Sequence, residues 1–107
     1  MHDFKELIAA GDAALAERRL DDADAAYAAA ARAFPGRGLA YFGRMRVALQ
    51  RQDHERTTEL AAKLLSLGAF PFAAHLGLAR VHQARGHYAL AEDAALKAAQ
   101  LKPEKPG

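Results

Sequence analysis

Apolar residues recur along the chain at spacings of three and four, the signature of helices that each bury one stripe. Phe4, Leu7, Ile8, Gly11 and Leu15 mark a first segment over about 3–18. The second opens at Leu20, Asp21, Asp22, Ala23 and Asp24, where Asp21 is placed to cap and Asp24 lies near the positive helix end. It stops at Phe34, Pro35 and Gly36. A third, over about 37–51, carries Leu39, Tyr41, Phe42, Met45, Val47 and Leu49, and a fourth starts at Asp53 and ends at Leu67 and Gly68. The fifth runs from Pro71, a favourable first-turn residue, to Arg85 and Gly86; the sixth runs from about Tyr88 to Leu101, and Pro103 stops it. Ala is the commonest residue and has the highest helix propensity, whereas the β-branched residues are only Ile8, Val47, Thr57, Thr58 and Val81. The pattern predicts an all-α fold.

The six segments repeat in pairs. Pro35 and Pro103 stand 68 residues apart, twice 34, and the same offset lays Ala23 over Ala91, Ala30 over Ala98, Tyr27 over Ala95 and Gly11 over Ala79. Half that offset puts Met45, Thr57, Ala61, Leu64 and Ala69 in a middle copy. A fixed period of this length signals stacked repeats, so the chain divides into helical hairpins at about 4–37, 38–71 and 72–105. They form one domain over 1–102, with a tail or linker over 103–107.

This arrangement resembles the tetratricopeptide repeat family, in which the first helix holds a small residue and the second holds Ala, an aromatic and Ala before a Pro. Copy one supplies Gly11, Ala23, Tyr27, Ala30 and Pro35; copy three supplies Leu78, Ala79, Gly86, Tyr88, Ala91, Ala98, Leu101 and Pro103. The small residues belong where paired helices touch, because a larger side chain would push the axes apart. Copy two departs from the pattern: Arg44 replaces the usual Leu, Thr57 replaces an Ala, Leu64 stands at the second Ala and Ala61 at the aromatic. Small and large change places, which conserves total volume. The resemblance implies three antiparallel helical hairpins stacked as a short right-handed α-solenoid.

It also implies a concave groove lined by the first helix of each hairpin. Copy one would present Lys5, Ile8, Ala9, Asp12 and Leu15; copy two Leu39, Phe42, Gly43, Arg46, Leu49 and Gln50; copy three Ala73, Leu76, Gly77, Arg80 and Gln83. Such a surface suits an extended or helical peptide with an apolar anchor and an acidic group. Ile8, Phe42, Leu49 and Leu76 would then be anchors, with Arg46 and Arg80 as charged guides. The plainer alternative has Phe42 and Leu76 packing between helices and the arginines solvated. The carboxylate clamp of chaperone-cofactor repeats is not expected: the chain has no Asn, and the corresponding positions look like Ile8, Asp12, Gly43, Ala73 and Gly77. The expected function is a non-enzymatic scaffold or adaptor that binds another protein through a peptide or amphipathic helix. The alternatives are self-assembly through the uncapped last helix, with Leu90, Leu96 and Leu101, and a helper domain at the N-terminal side of a larger enzyme.

Charge and candidate chemistry narrow this further. Fifteen Lys and Arg against thirteen Asp and Glu give +2, too small a surplus to argue for nucleic acid. The acids Asp3, Glu6, Asp12, Glu17, Asp21, Asp22 and Asp24 crowd the start, whereas Ala25 to Gln52 holds five arginines and no acid. Arg37, Arg44 and Arg51 recur every seven residues, which reads as a solvated helix face or a phosphate-binding stripe. The acidic and basic halves could also steer copies head to tail.

With no Cys, thiolate metal sites and disulfides are excluded. His75 and His82 stand about 10.5 Å apart along one helix, too far to share an ion directly, and replace packed aromatic rings of the family. Ser66, Thr57 and Thr58 have no nucleophile elbow, and Gly36, Arg37 and Gly38 lack the Lys and Ser or Thr of a phosphate loop. No enzyme activity, cofactor or metal is expected. Without a membrane-length apolar run or a signal pattern, a cytoplasmic protein follows, and the Arg-rich, Lys-poor usage looks bacterial.

Overall fold

The computed structural model describes residues 2–101. Within them lie α1 (Phe4–Ala16), α2 (Leu20–Ala33), α3 (Gly38–Gln50), α4 (His54–Leu67), α5 (Pro71–Ala84) and α6 (Tyr88–Ala99). Pro103 and the tail over 103–107 lie outside the described residues.

Local chemistry sets the boundaries. The carboxylates of Asp3 and Asp53 accept the amides of Glu6 and Arg56 at 2.8 and 3.0 Å, satisfying free donors at the starts of α1 and α4. Gly68 ends α4 in the left-handed conformation at φ 65, and Pro71 opens α5. Asp21 does not cap: α2 begins one residue earlier, at Leu20, with Arg19 at the cap position and no side-chain bond there. The hairpin turn dictates this start, since the Arg19 amide closes on the Ala14 carbonyl at 2.9 Å and leaves Asp21 inside the first turn.

That turn is built three times. Arg18, Gln52 and Gly86, each 34 residues from the next, are left-handed at φ 59, 56 and 78. The following amides, of Arg19, Asp53 and His87, donate to Ala14, Ala48 and His82 carbonyls at 2.9, 2.9 and 2.8 Å. The sequence period is therefore also a period of backbone conformation.

The fold is all-α, with six helices packing in consecutive pairs. The inner helices α1, α3 and α5 also touch one another in order, whereas α2, α4 and α6 do not. Two apolar clusters fill the interior, and α3 serves both: Ala40 and Val47 join α1 and α2, while Met45 and Ala48 join α4 and α5. The traded volumes in the middle copy follow the same logic. In copy one the bulk sits on the outer helix at Tyr27, 1% exposed, opposite Gly11; in copy two it sits on the inner helix at Met45, opposite Ala61. Thr57, Ala61 and Leu64 are all fully buried, and the Thr57 hydroxyl is satisfied by donating to the Asp53 carbonyl at 2.9 Å.

Glycines on the next inner helix receive this bulk. A Cβ at Gly43 would lie 2.5 Å from the Tyr27 ring and one at Gly77 3.2 Å from Met45 Sδ. Gly11 meets the other side of the contact, again 2.5 Å from Tyr27, so one aromatic ring is clamped by two glycines of successive inner helices.

Among the described residues α6 packs on α5 alone, and it carries their exposed large hydrophobics, Tyr88, Leu90 and Leu96, at 71, 53 and 56%. No helix of the described residues is long and apolar enough to cross a membrane.

Candidate functional site

Helical spacing places Phe42, Arg46 and Leu49 on one face of α3, and Ala73, Leu76, Gly77 and Arg80 on one face of α5. Between these faces lies a cavity of about 240 Å³ that all seven residues line together with Met45, Phe70 and Phe72. Of the groove residues expected from copies two and three, these seven converge, whereas Leu39 lines a different hollow, Gly43 is buried against Tyr27, and Gln50 and Gln83 are exposed outside this cavity.

Two aromatic contacts shape the walls. Phe70 stacks on Phe42 with ring centroids 4.7 Å apart and planes 7° from parallel. Phe70 can do so because it sits in the left-handed region, φ 50, immediately before Pro71, which turns its ring back toward α3. Neither Phe70 nor Phe72 was among the residues expected from sequence. Their signal was present as two aromatics flanking a helix-opening proline, but the expected groove of the third copy began at Ala73 and gave them no role.

The cations are arranged unequally. The Arg46 guanidinium lies 5.7 Å over the Phe42 ring and 4.0 Å from Asp12 Oδ1. Arg80 forms part of the wall shared with a second hollow, of about 270 Å³, which Leu49, Gln52, His54, Val81 and Ala84 complete. Among the described residues no Asp or Glu lines either cavity.

Copy one contributes differently from expectation. Ile8 and Leu15 are buried, and both belong to the apolar cluster around Tyr27, so neither is an accessible groove anchor. They stand two turns apart on the stripe of α1 that faces α2 and α3, and packing takes that stripe first. Ile8 still touches a separate hollow of about 450 Å³ between α1 and α3, with Phe4, Lys5, Ala9, Asp12, Arg37 and Leu39. Asp12 is exposed, but it is engaged: the Tyr27 hydroxyl donates to its Oδ1 at 2.5 Å. Burial, reinforced by this carboxylate, raises the Tyr27 phenol well above its usual range.

The arginines spaced by seven do not form a phosphate stripe. Arg44 Nε donates to Asp24 at 3.2 Å, Arg51 pairs with Asp21, and the Arg37 guanidinium lies 4.7 Å over Phe4 and 5.1 Å over Phe34. The acids of α2 meet the bases of α3, so the charge imbalance along the sequence is balanced inside the molecule.

His75 and His82 are half-buried on α5, with the His82 ring 6.1 Å from that of His87. No group of three or more His, Asp or Glu suited to a metal comes together among the described residues.

No protein-family model matches the chain, and neither a curated protein nor a solved structure matches it.

Proposed function

We propose that this chain is a tetratricopeptide-type interaction module that holds a segment of another protein in the groove between α3 and α5. The observation that carries the reading is the cavity itself: an apolar pocket walled by Phe42, Phe70, Leu49 and Leu76 and edged by two exposed arginines with no acid in its lining. Binding sites for side chains are concave and apolar with a few placed polar groups, and this one has that composition. The recurrence of one turn at Arg18, Gln52 and Gly86 supports the repeat assignment. The work is that of a scaffold or adaptor, without catalysis, cofactor or metal. Its cytoplasmic and bacterial setting is part of the same proposal.

Selection of displayed random peptides against the wild-type protein and a Leu76→Arg variant tests the reading. Peptides that share an apolar residue and an acid, and that fail to bind the variant while it keeps its melting temperature, are the expected result. Peptides that bind both proteins equally would overturn it.

A second reading has its own observation. Tyr88, Leu90 and Leu96 leave α6 apolar and uncovered, which favours self-association through that helix. Size-exclusion chromatography with light scattering at two protein concentrations separates the readings, since only the second expects a concentration-dependent dimer.

A further inference from the structure

Both arginines edge one cavity, yet their surroundings differ. Arg46 has an internal anion within reach at Asp12, 4.0 Å away. That carboxylate is fixed, because it accepts the hydroxyl of Tyr27, whose ring is held between Gly11 and Gly43. An incoming carboxylate directed at Arg46 therefore meets a negative charge that cannot swing aside, while Arg46 is further occupied over the Phe42 ring. Arg80 forms no ion pair among the described residues. It is exposed, and it stands where the apolar cavity gives way to the hollow containing Gln52 and His54.

We propose that Arg80 is the residue that selects an acidic group in the bound segment, and that Asp12 is a built-in competitor that withholds Arg46 from that task. The proposal rests on the groove reading above and specifies its partner: a peptide segment with an aromatic or leucine-sized side chain followed within one or two positions by Asp or Glu. The apolar side chain fills the cavity walled by Phe42 and Leu76. An extended chain advances about 3.3 Å per residue, so the next side chains pass over Arg80 toward Gln52 and His54. A guanidinium there offers a carboxylate two parallel N–H donors, which a lysine cannot.

The test uses two acetylated, amidated hexapeptides, Gly-Ser-Phe-Glu-Ser-Gly and its Phe-Gln counterpart, titrated into the whole protein and followed by amide chemical shifts. The Glu peptide is expected to bind about fivefold more tightly to the wild type, the size of effect that one charged contact on an open surface gives. Arg80→Gln should remove that preference and Arg80→Lys should keep only part of it, whereas Arg46→Gln should leave most of it. Asp12→Asn keeps an acceptor for the Tyr27 hydroxyl while deleting the charge, and it should strengthen the Glu peptide by about threefold. If both peptides shift the groove resonances with equal affinity, the groove reading stands and the role of Arg80 falls. If the preference is lost in Arg46→Gln and kept in Arg80→Gln, the assignment of the two cations is overturned. If neither peptide moves resonances of α3 or α5, both the groove reading and this proposal fail.

Discussion

Tyr27 is the residue on which the first two hairpins depend. Its ring fills the space that glycines at positions 11 and 43 leave, and its hydroxyl is tied to Asp12. Gly43→Ala would gain helix propensity of about 1 kcal/mol, but its Cβ would sit 2.5 Å from a ring that has no free side to move to. The steric cost wins, and a net loss of about 2 kcal/mol is expected, roughly 8 °C in Tm by thermal melting. Gly36→Ala, with nothing within 4 Å, serves as the control and should scarcely change Tm.

The Tyr27 hydroxyl gives a pH-dependent prediction. Its pKa is raised in the folded protein, so the proton is held more tightly there than in the unfolded chain. The stabilisation is fully present below the unfolded value near 10 and is lost as pH rises above it, by about 1.4 kcal/mol per unit. In urea unfolding, Tyr27→Phe should be about 1 kcal/mol less stable than wild type at pH 8, and the difference should close by about pH 11. A difference that persists unchanged at pH 11 would mean that Tyr27 ionises without cost to the fold.

At the scale of helices, the seam between α2 and α3 shows what charge does here. Asp24 and Arg44 are both largely covered, at 29 and 21% side-chain exposure, whereas Asp21 is almost wholly in water. A double-mutant cycle on Asp24 and Arg44 should give a coupling of about 1 kcal/mol that shrinks in 500 mM salt, and the cycle on Asp21 and Arg51 should give nearly none. Helix starts at Asp3, Asp53 and Pro71, and the stop at Gly68, were legible in the sequence because caps and breakers act within four residues. Asp21 was misread as a cap because the hairpin turn, closed by the Arg19 amide on the Ala14 carbonyl, starts α2 at Leu20 and leaves Asp21 to pair with Arg51, 30 residues away just beyond α3. The same limit hid Phe70: its contact with Phe42 depends on a left-handed backbone residue that the pattern of apolar spacing does not encode. Periodicity identified the faces of α3 and α5 that form the cavity, but it could not give depth, and so Leu15 was expected at a surface it does not reach, while Ile8, largely buried, meets only the hollow between α1 and α3.

At the scale of the molecule, the helices share packing unequally. α6 has a single packing neighbour, while α3 meets α1, α2, α4 and α5. In stacked repeats each unit is held by its neighbours, so hydrogen exchange should be fastest in α6 and slowest in α3, and a uniform rate across all six helices would contradict this. The charges of the seam between α2 and α3 are not repeated on α6 and α1. The residue of α6 at the register of Asp24 is Glu92, and the residues of α1 at the registers of Arg44 and Arg51 are Ala10 and Glu17. A second copy placed head to tail would thus set Glu92 opposite Ala10 and Ala89 opposite Glu17, so neither ion pair of the seam between α2 and α3 would have a counterpart there.

The ring between Gly11 and Gly43 has a mechanical meaning as well. A pull on the two ends of the chain would meet a hierarchy: α6, which packs on α5 alone among the described residues, would peel away first, while the joint between the first two hairpins would part last. Tyr27 works there as a tongue in a slot: its ring, seated on Gly11 and tied to Asp12 within the first hairpin, must leave Gly43 before the two hairpins can separate. The molecule would extend in unequal steps, and the 34-residue unit visible in the sequence would not be the unit in which it yields.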